Sequence, residues 1–247
     1  MSPPERHHYG STRSQYAELF LPDGAEPLGV AVLLHGGFWR ARYGRKLMHP
    51  LCADLVARGW AAWNVEYRRL GALSGGGYPR TLADVAAAVD HLASVQERGL
   101  SPFLQRGVVA IGHSAGGHLA AWLATRNDAR VPVTGVVAQA GVLDLRLAAE
   151  LRLSRGVTPR FLGGTPEAVP AHYALASPAE RLPLGVPALL THGGRDDIVP
   201  PMMSERFAIA ARAAGDSVDV VVDADAGHFE HLDPASPLWR AVTAWLG

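Results

Sequence analysis

Along the chain, short unbroken runs of aliphatic residues take turns with longer stretches whose apolar positions recur every three or four residues. "LGVAVLLHGG" (28–37), "WAAWNVEY" (60–67), "GVVAIG" (107–112), "VTGVVAQAG" (133–141), "VPALLTHG" (186–193) and "SVDVVV" (217–222) are of the first kind. Each of these runs predicts a strand, and the β-branched and aliphatic "LGVAVLLHGG", ended by glycines, predicts one covered on both faces. Between them, "TLADVAAAVDHLASVQ" places Leu82, Val85, Ala86, Val89 and Leu92 on one helical stripe, and Pro79 stands just ahead of it as a helix start permits. Further helices are predicted over 42–58, 115–126, 202–214 and 238–246. Strands that alternate with helices in this way imply a mostly parallel sheet with helices on both faces and a ligand site at the carboxyl ends of the strands. Residues 142–185 break the rhythm. They are rich in Pro, Gly and Ser, and are longer than an ordinary connection, so they are expected to wall the site as a short cap-like insertion in a single domain spanning 1–247.

Composition narrows this picture only a little. The 247 residues, 48% of them hydrophobic, suffice for one large core. The 23 basic and 23 acidic side chains cancel, which favours neither nucleic acid nor an anionic membrane and suggests a small, roughly neutral substrate. The single cysteine, Cys52, has no disulfide partner within the chain and reads as a buried thiol. "MSPPERHHYGSTRSQ" lacks the apolar core of a signal peptide, and no later run approaches the roughly 20 residues of a membrane span, so a cytoplasmic protein is expected. "GALSGGGYP" lacks the ending of a phosphate loop, and His7 and His8 have no cysteine cluster to complete a metal site. No cofactor and no metal are expected.

The chemistry is concentrated in "VVAIGHSAGGHLAAW" (108–122). Ser114 lies between Gly112 and Gly116 where a strand gives way to a helix, the spacing of a nucleophile elbow. Such a turn strains the serine backbone, and small neighbours are required because a β-carbon at either glycine would meet the adjoining strand or helix. A lone serine here would also serve as an ordinary N-cap. A hydroxyl nucleophile needs a base, and the base needs an orienting acid, in the chain order Ser, Asp or Glu, His. Of the eleven histidines, His228 and His231 lie downstream of the candidate acids. His228, in "AGHFEH" after the last strand, is the expected base, with His231 as the alternative. "HGGRDDIVP" offers Asp196 as the acid, with Asp197 read as a turn or capping residue and Asp144 as the other topological option.

An oxyanion site must donate hydrogen bonds to a tetrahedral intermediate. The N–H of Ala115, next to the nucleophile, and an N–H of Gly37 or Phe38 in "LLHGGFW" are the expected donors, with His35 organising that loop. Trp39 fits an acyl or aryl pocket and core packing equally well.

Together, "HGGFW", "GHSAGG", "HGGRDDIVP" and "GHFEHLD" resemble the α/β-hydrolase superfamily over nearly the whole chain. With "VEYRR" and "YPRTLADVAAAVDHL", the HGG-aromatic-Trp loop is similar to the small esterase/lipase branch that includes the kynurenine formamidases. Phe38 stands where lipase-type loops carry a third glycine. The resemblance implies a sheet of about eight strands with little or no lid, and a serine hydrolase with Ser114, Asp196 and His228 as its triad. Its partner would be a small-molecule acyl substrate, an ester or an activated amide. The competing class is an acyltransferase or a hydrolase-like binding protein in which attack by water is suppressed.

Overall fold

The computed structural model describes residues 3–24, 26–71, 73–97 and 103–247. One eight-stranded sheet runs through it. The strands are β1 (Glu5–His8), β2 (Tyr16–Phe20), β3 (Val30–Leu34), β4 (Ala61–Glu66), β5 (Val108–His113), β6 (Gly135–Gln139), β7 (Ala188–Gly193) and β8 (Val218–Asp223). Their order across the sheet is β1-β2-β4-β3-β5-β6-β7-β8. From β4 to β8 all neighbours are parallel, while β1 and β2 are added antiparallel at one edge. This is the α/β-hydrolase architecture.

The apolar runs explain the sheet's interior. Every residue of β3, β4, β5, β6 and β7 is buried. Alternate side chains of each strand feed two cores: Val30, Val32 and Leu34 point into one, Ala31 and Leu33 into the other. The larger core is closed by α2 (Arg80–Glu97), α3 (Ala115–Ala124) and α7 (Met202–Ala213). The smaller is closed by α1 (His49–Ala57) and α8 (Pro237–Leu246). Cys52 is fully buried in this smaller core, and burial pushes its thiol pKa up, away from reactive thiolate.

The connectivity fixes where a ligand can bind. After β3 the chain turns one way to pair β4, and after β4 it crosses to the far side of β3 to lay down β5. The loops leaving β3 and β5 therefore part in opposite directions, and a crevice opens at their carboxyl ends. Ser114 leaves β5 there, and "HGGFW" leaves β3.

One expectation about the elements is corrected. The helix predicted over 42–58 begins as a short 3-10 turn at Arg45 and becomes α-helical only at His49, where Pro50 sits in the first turn; residues 42–44 belong to a loop. β1 and β2 were invisible to periodicity, because "ERHH" is mostly exposed and "YAELF" is buried regardless of polarity. The described residues of the glycine-rich segment 71–79, from which Ala72 is excluded, do not line the crevice beside Ser114. Residues 142–185 form α4 (Leu145–Glu150), α5 (Leu153–Leu162) and α6 (Pro170–Ala176). Among the described residues no helix is long and apolar enough to cross a membrane.

Candidate active site

Ser114 has φ 56° and ψ −118°, a strained conformation that β5 and α3 hold between them. The flanking glycines make it possible. A Cβ on Gly112 would come 2.0 Å from the carbonyl oxygen of Gly116, and one on Gly116 would come 1.9 Å from that of Leu34. Those acceptors are backbone, so no rotamer change would relieve either clash. The Ser114 side chain caps nothing, which removes the plain N-cap reading.

His228 and Asp196 arrive from the opposite side of the sheet, on the loops after β8 and β7. His228 Nδ1 lies 2.6 Å from Asp196 Oδ2. The other carboxylate oxygen, Oδ1, accepts the N–H groups of Ile198 and Val199, each at 2.9 Å. Oδ2 also lies 3.4 Å from His192 Nε2. Burial by itself would raise the Asp196 pKa, but the contacts from His192, His228 and Val199 outweigh it and hold the carboxyl well below the usual carboxylate range. A permanently ionised acceptor on Nδ1 fixes the proton there and leaves Nε2 of a neutral imidazole as the acceptor. Among the described residues Nε2 has no protein partner, and both Ser114 and His228 line one cavity of about 550 Å³.

The alternatives occupy other positions. Asp197 is exposed. Asp144 caps α4, accepting from the N–H groups of Arg146 at 2.9 Å and Leu147 at 3.0 Å. His231 is not at the surface. It is fully buried, with Nδ1 3.1 Å from Thr191 Oγ1, and it does not line the cavity.

Gly37 (φ 106°) and Phe38 (φ 49°) bend the loop after β3 over Ser114, and both line the cavity. Among the described residues, the N–H groups of Gly37, Phe38 and Ala115 donate to no acceptor. The loop is braced from behind. His35 stacks on Tyr67 at 4.3 Å, lies 3.0 Å from Glu66 Oε1 through Nε2, and its carbonyl accepts the Tyr67 hydroxyl at 2.7 Å. Burial works to raise the Glu66 pKa, but the neighbouring His35 and Arg69 lower it, so a stable anion anchors the brace.

Trp39 is corrected: it belongs to the core and not to the pocket. It is fully buried, stacks on Phe161 at 4.3 Å, and donates from Nε1 to His118 Nδ1 at 3.2 Å. At φ 55° its backbone swings the indole beneath the loop, and Phe38 takes the cavity wall instead.

Sequence reasoning missed a group of buried histidines behind the site. His113 donates through Nε2 to the carbonyl of His228 at 2.8 Å and so holds the base's backbone. His192 joins Ser204 Oγ and the Val199 carbonyl, at 2.7 Å and 2.8 Å. His118 bridges Trp39 to the Ala176 carbonyl, the latter at 2.9 Å. Burial, reinforced by the neighbouring His228 imidazole, lowers the His113 pKa to about 3, and burial lowers that of His118 to about 4. Burial and the surrounding imidazoles also hold His231 well below its ordinary value.

These shifts make stability depend on pH with a definite sign. In the unfolded chain each imidazole protonates near 6.5, whereas His113, His118 and His231 stay neutral in the fold. As pH falls below about 6.5 the unfolded state binds protons that the native state refuses, costing about 1.4 kcal/mol per pH unit for each such group until its folded value is reached. The Asp196 carboxylate does not act in that window, because its contribution is complete above about pH 4 and is lost only below it. We expect the melting temperature to fall steeply from pH 7 to pH 4.5. A calorimetric Tm that stays level from pH 7 to pH 5 would contradict the neutral burial of these rings.

The model of the BD-FAE family matches residues 18–210, from β2 into α7. The chain belongs to that family. It is also 29% identical to esterase LipC of Mycobacterium tuberculosis over 250 aligned positions, covering 90% of this chain and 58% of the relative, so it spans little more than half of that protein's length. Among solved structures, a truncated carbohydrate esterase from gut microbiota superposes with a TM-score of 0.82 at 19% identity, over 98% of this chain and 93% of that one. The esterase Est2 of Thermogutta terrifontis gives 0.77 at 20% identity, over 98% and 90%. At such identities the superpositions speak for the α/β-hydrolase fold of this BD-FAE member.

Proposed function

We propose that the chain is a serine esterase that cleaves a small carboxylic ester through an acyl-enzyme on Ser114. The observation that carries this reading is that one cavity holds a strained, unbonded serine hydroxyl together with an imidazole whose far nitrogen is held by a buried carboxylate at 2.6 Å. Membership of the BD-FAE family, and the esterase activity named for LipC, support it.

In this mechanism His228 Nε2 takes the Ser114 proton as Oγ attacks the ester carbonyl. Negative charge collects on the carbonyl oxygen, which the unpaired N–H groups of Ala115 and of Gly37 or Phe38 stabilise, aided by the N-terminal end of α3. Collapse of the intermediate transfers the proton from His228 to the leaving alcohol. Water then repeats the sequence on the acyl-enzyme, giving up its proton to His228 and releasing the acid. Asp196 stays ionised throughout and stabilises the imidazolium.

The cavity volume suits a compact acyl group. The same machinery attacks an activated amide, so an N-formyl arylamine is the second substrate to try. Turnover of p-nitrophenyl acetate, butyrate and dodecanoate should decline sharply at the long acyl chain, and an organophosphonate probe should label Ser114. Preference for dodecanoate would reject the compact pocket. Labelling of Ser114 without hydrolysis of any ester or formamide would favour the acyltransferase alternative.

A further inference from the structure

The walls of the cavity carry a charge pattern that the net charge conceals. Arg40 and Arg42, on the loop after β3, and Arg155, at the start of α5, all line it beside Ser114 and His228. No lining residue is acidic, and the nearest carboxylate of the mechanism, Asp196, is already engaged behind His228. Elsewhere arginines find carboxylates: Arg45 meets Glu18, Arg68 meets Asp84, Arg69 meets Glu66 and Arg126 meets Asp90. Among the described residues, Arg40, Arg42 and Arg155 pair with none.

Their placement is built, not incidental. Arg40 reaches across to the other wall, donating from Nη2 to the Ser154 carbonyl at 2.8 Å and to Ser154 Oγ at 3.3 Å, while its buried Nε has no partner. On that wall Arg152, Ser154 and Arg155 have φ of 51°, 45° and 61°, followed by Gly156 at 71°, a left-handed stretch that breaks the start of α5. Non-glycine residues adopt this conformation at a cost, and here it presents Arg155 to the cavity. The lining also includes apolar residues, Phe38, Leu47, Ile198 and Phe229.

Arg42 and Arg155 are exposed and Arg40 half-buried, so these three cations make a positive mouth with no carboxylate among the lining residues to balance it, and an anion entering the cavity is drawn to them. Planar, fixed donor forks match a carboxylate in bidentate fashion. Resting on the serine-esterase reading above, we propose that Arg40, Arg42 and Arg155 form a carboxylate-binding subsite, and that the preferred substrates are esters carrying a free carboxylate on an otherwise apolar body. This replaces the neutral substrate expected from composition.

Two matched pairs test it, one for each limb of the ester. Mono-(p-nitrophenyl) adipate is compared with p-nitrophenyl hexanoate, and 4-acetoxybenzoate with its methyl ester, each rate being normalised to alkaline hydrolysis. In at least one pair kcat/KM should favour the anion by about tenfold or more, the scale of one charge-assisted hydrogen bond, chiefly through KM and with a preference that shrinks as salt is added. Arg155→Gln and Arg42→Gln, made separately so that a folding defect in one leaves the other informative, should each collapse that ratio. Arg155→Glu should invert it. Hydrolysis of the neutral esters with no anionic preference in either pair, or a preference indifferent to all three variants, overturns the subsite and leaves the esterase reading standing. If none of the four compounds is hydrolysed, the esterase reading falls and the subsite falls with it.

Discussion

Ser114→Ala should lower ester kcat by at least about 10⁴-fold while leaving the far-ultraviolet circular dichroism spectrum and the Tm close to those of the parent chain. The size of the loss follows from the division of labour in the site. Without Oγ there is no acyl-enzyme, and what remains is the oxyanion site and substrate positioning, which alone give modest catalysis. The variant should fold because the side chain caps no helix and, among the described residues, makes no hydrogen bond, and because alanine adds no atom to the tight turn between Gly112 and Gly116. A Ser114→Ala protein with most of its activity would remove the acyl-enzyme from the mechanism.

A second large effect should separate neighbouring residues of like charge. Asp196→Asn is expected to reduce kcat by about 10³–10⁴-fold, since an amide in that place no longer fixes the Nδ1 proton of His228. Asp197→Asn, one residue along and exposed, should stay within about twofold, as a surface change away from the chemistry does. His228→Ala should match the loss at Ser114. His231→Ala instead removes a buried ring that bonds Thr191, and should appear mainly as a fall in Tm. Equal activity losses at Asp196 and Asp197 would mean that the 2.6 Å contact to His228 is not the one that orients the base.

How far the sequence reveals these assignments depends on the range of the interactions involved. The turn at Ser114 is a local matter, written within a few residues, and so are the apolar runs that become β3, β5 and β7. β1 escapes because only His7 of its four residues is buried, which leaves no periodic signal. Within 142–185 the short helical piece "LDLRLAAELRL" is legible and becomes α4, whereas α5 and α6 escape because each is short and the backbone around Arg155 is left-handed, a conformation that composition does not announce. Contacts between distant residues are hidden more thoroughly. His113 reaches His228 across 115 positions, and Arg40 reaches Ser154 across 114, so nothing in either neighbourhood points to the other. A net charge of zero likewise says nothing about three cations that converge on one cavity.

The near-contact between Gly116 and the Leu34 carbonyl has a bearing on how such a chain can change over time. That contact joins the end of β3 to the start of α3, so the N–H groups on either side of the reacting carbon share one rigid seam. One added methyl would force the seam apart, and a misplacement on the order of 1 Å is enough to cost about a hundredfold in rate. The seam therefore offers selection no small steps. The walls are different: Arg40, Arg42 and Tyr43 on one segment, and Ser154 and Arg155 of the left-handed stretch on the other, border the cavity without supplying its donors. Inheritance can thus redraw what enters the cavity through these two segments, while the apparatus that breaks the bond is passed on unaltered.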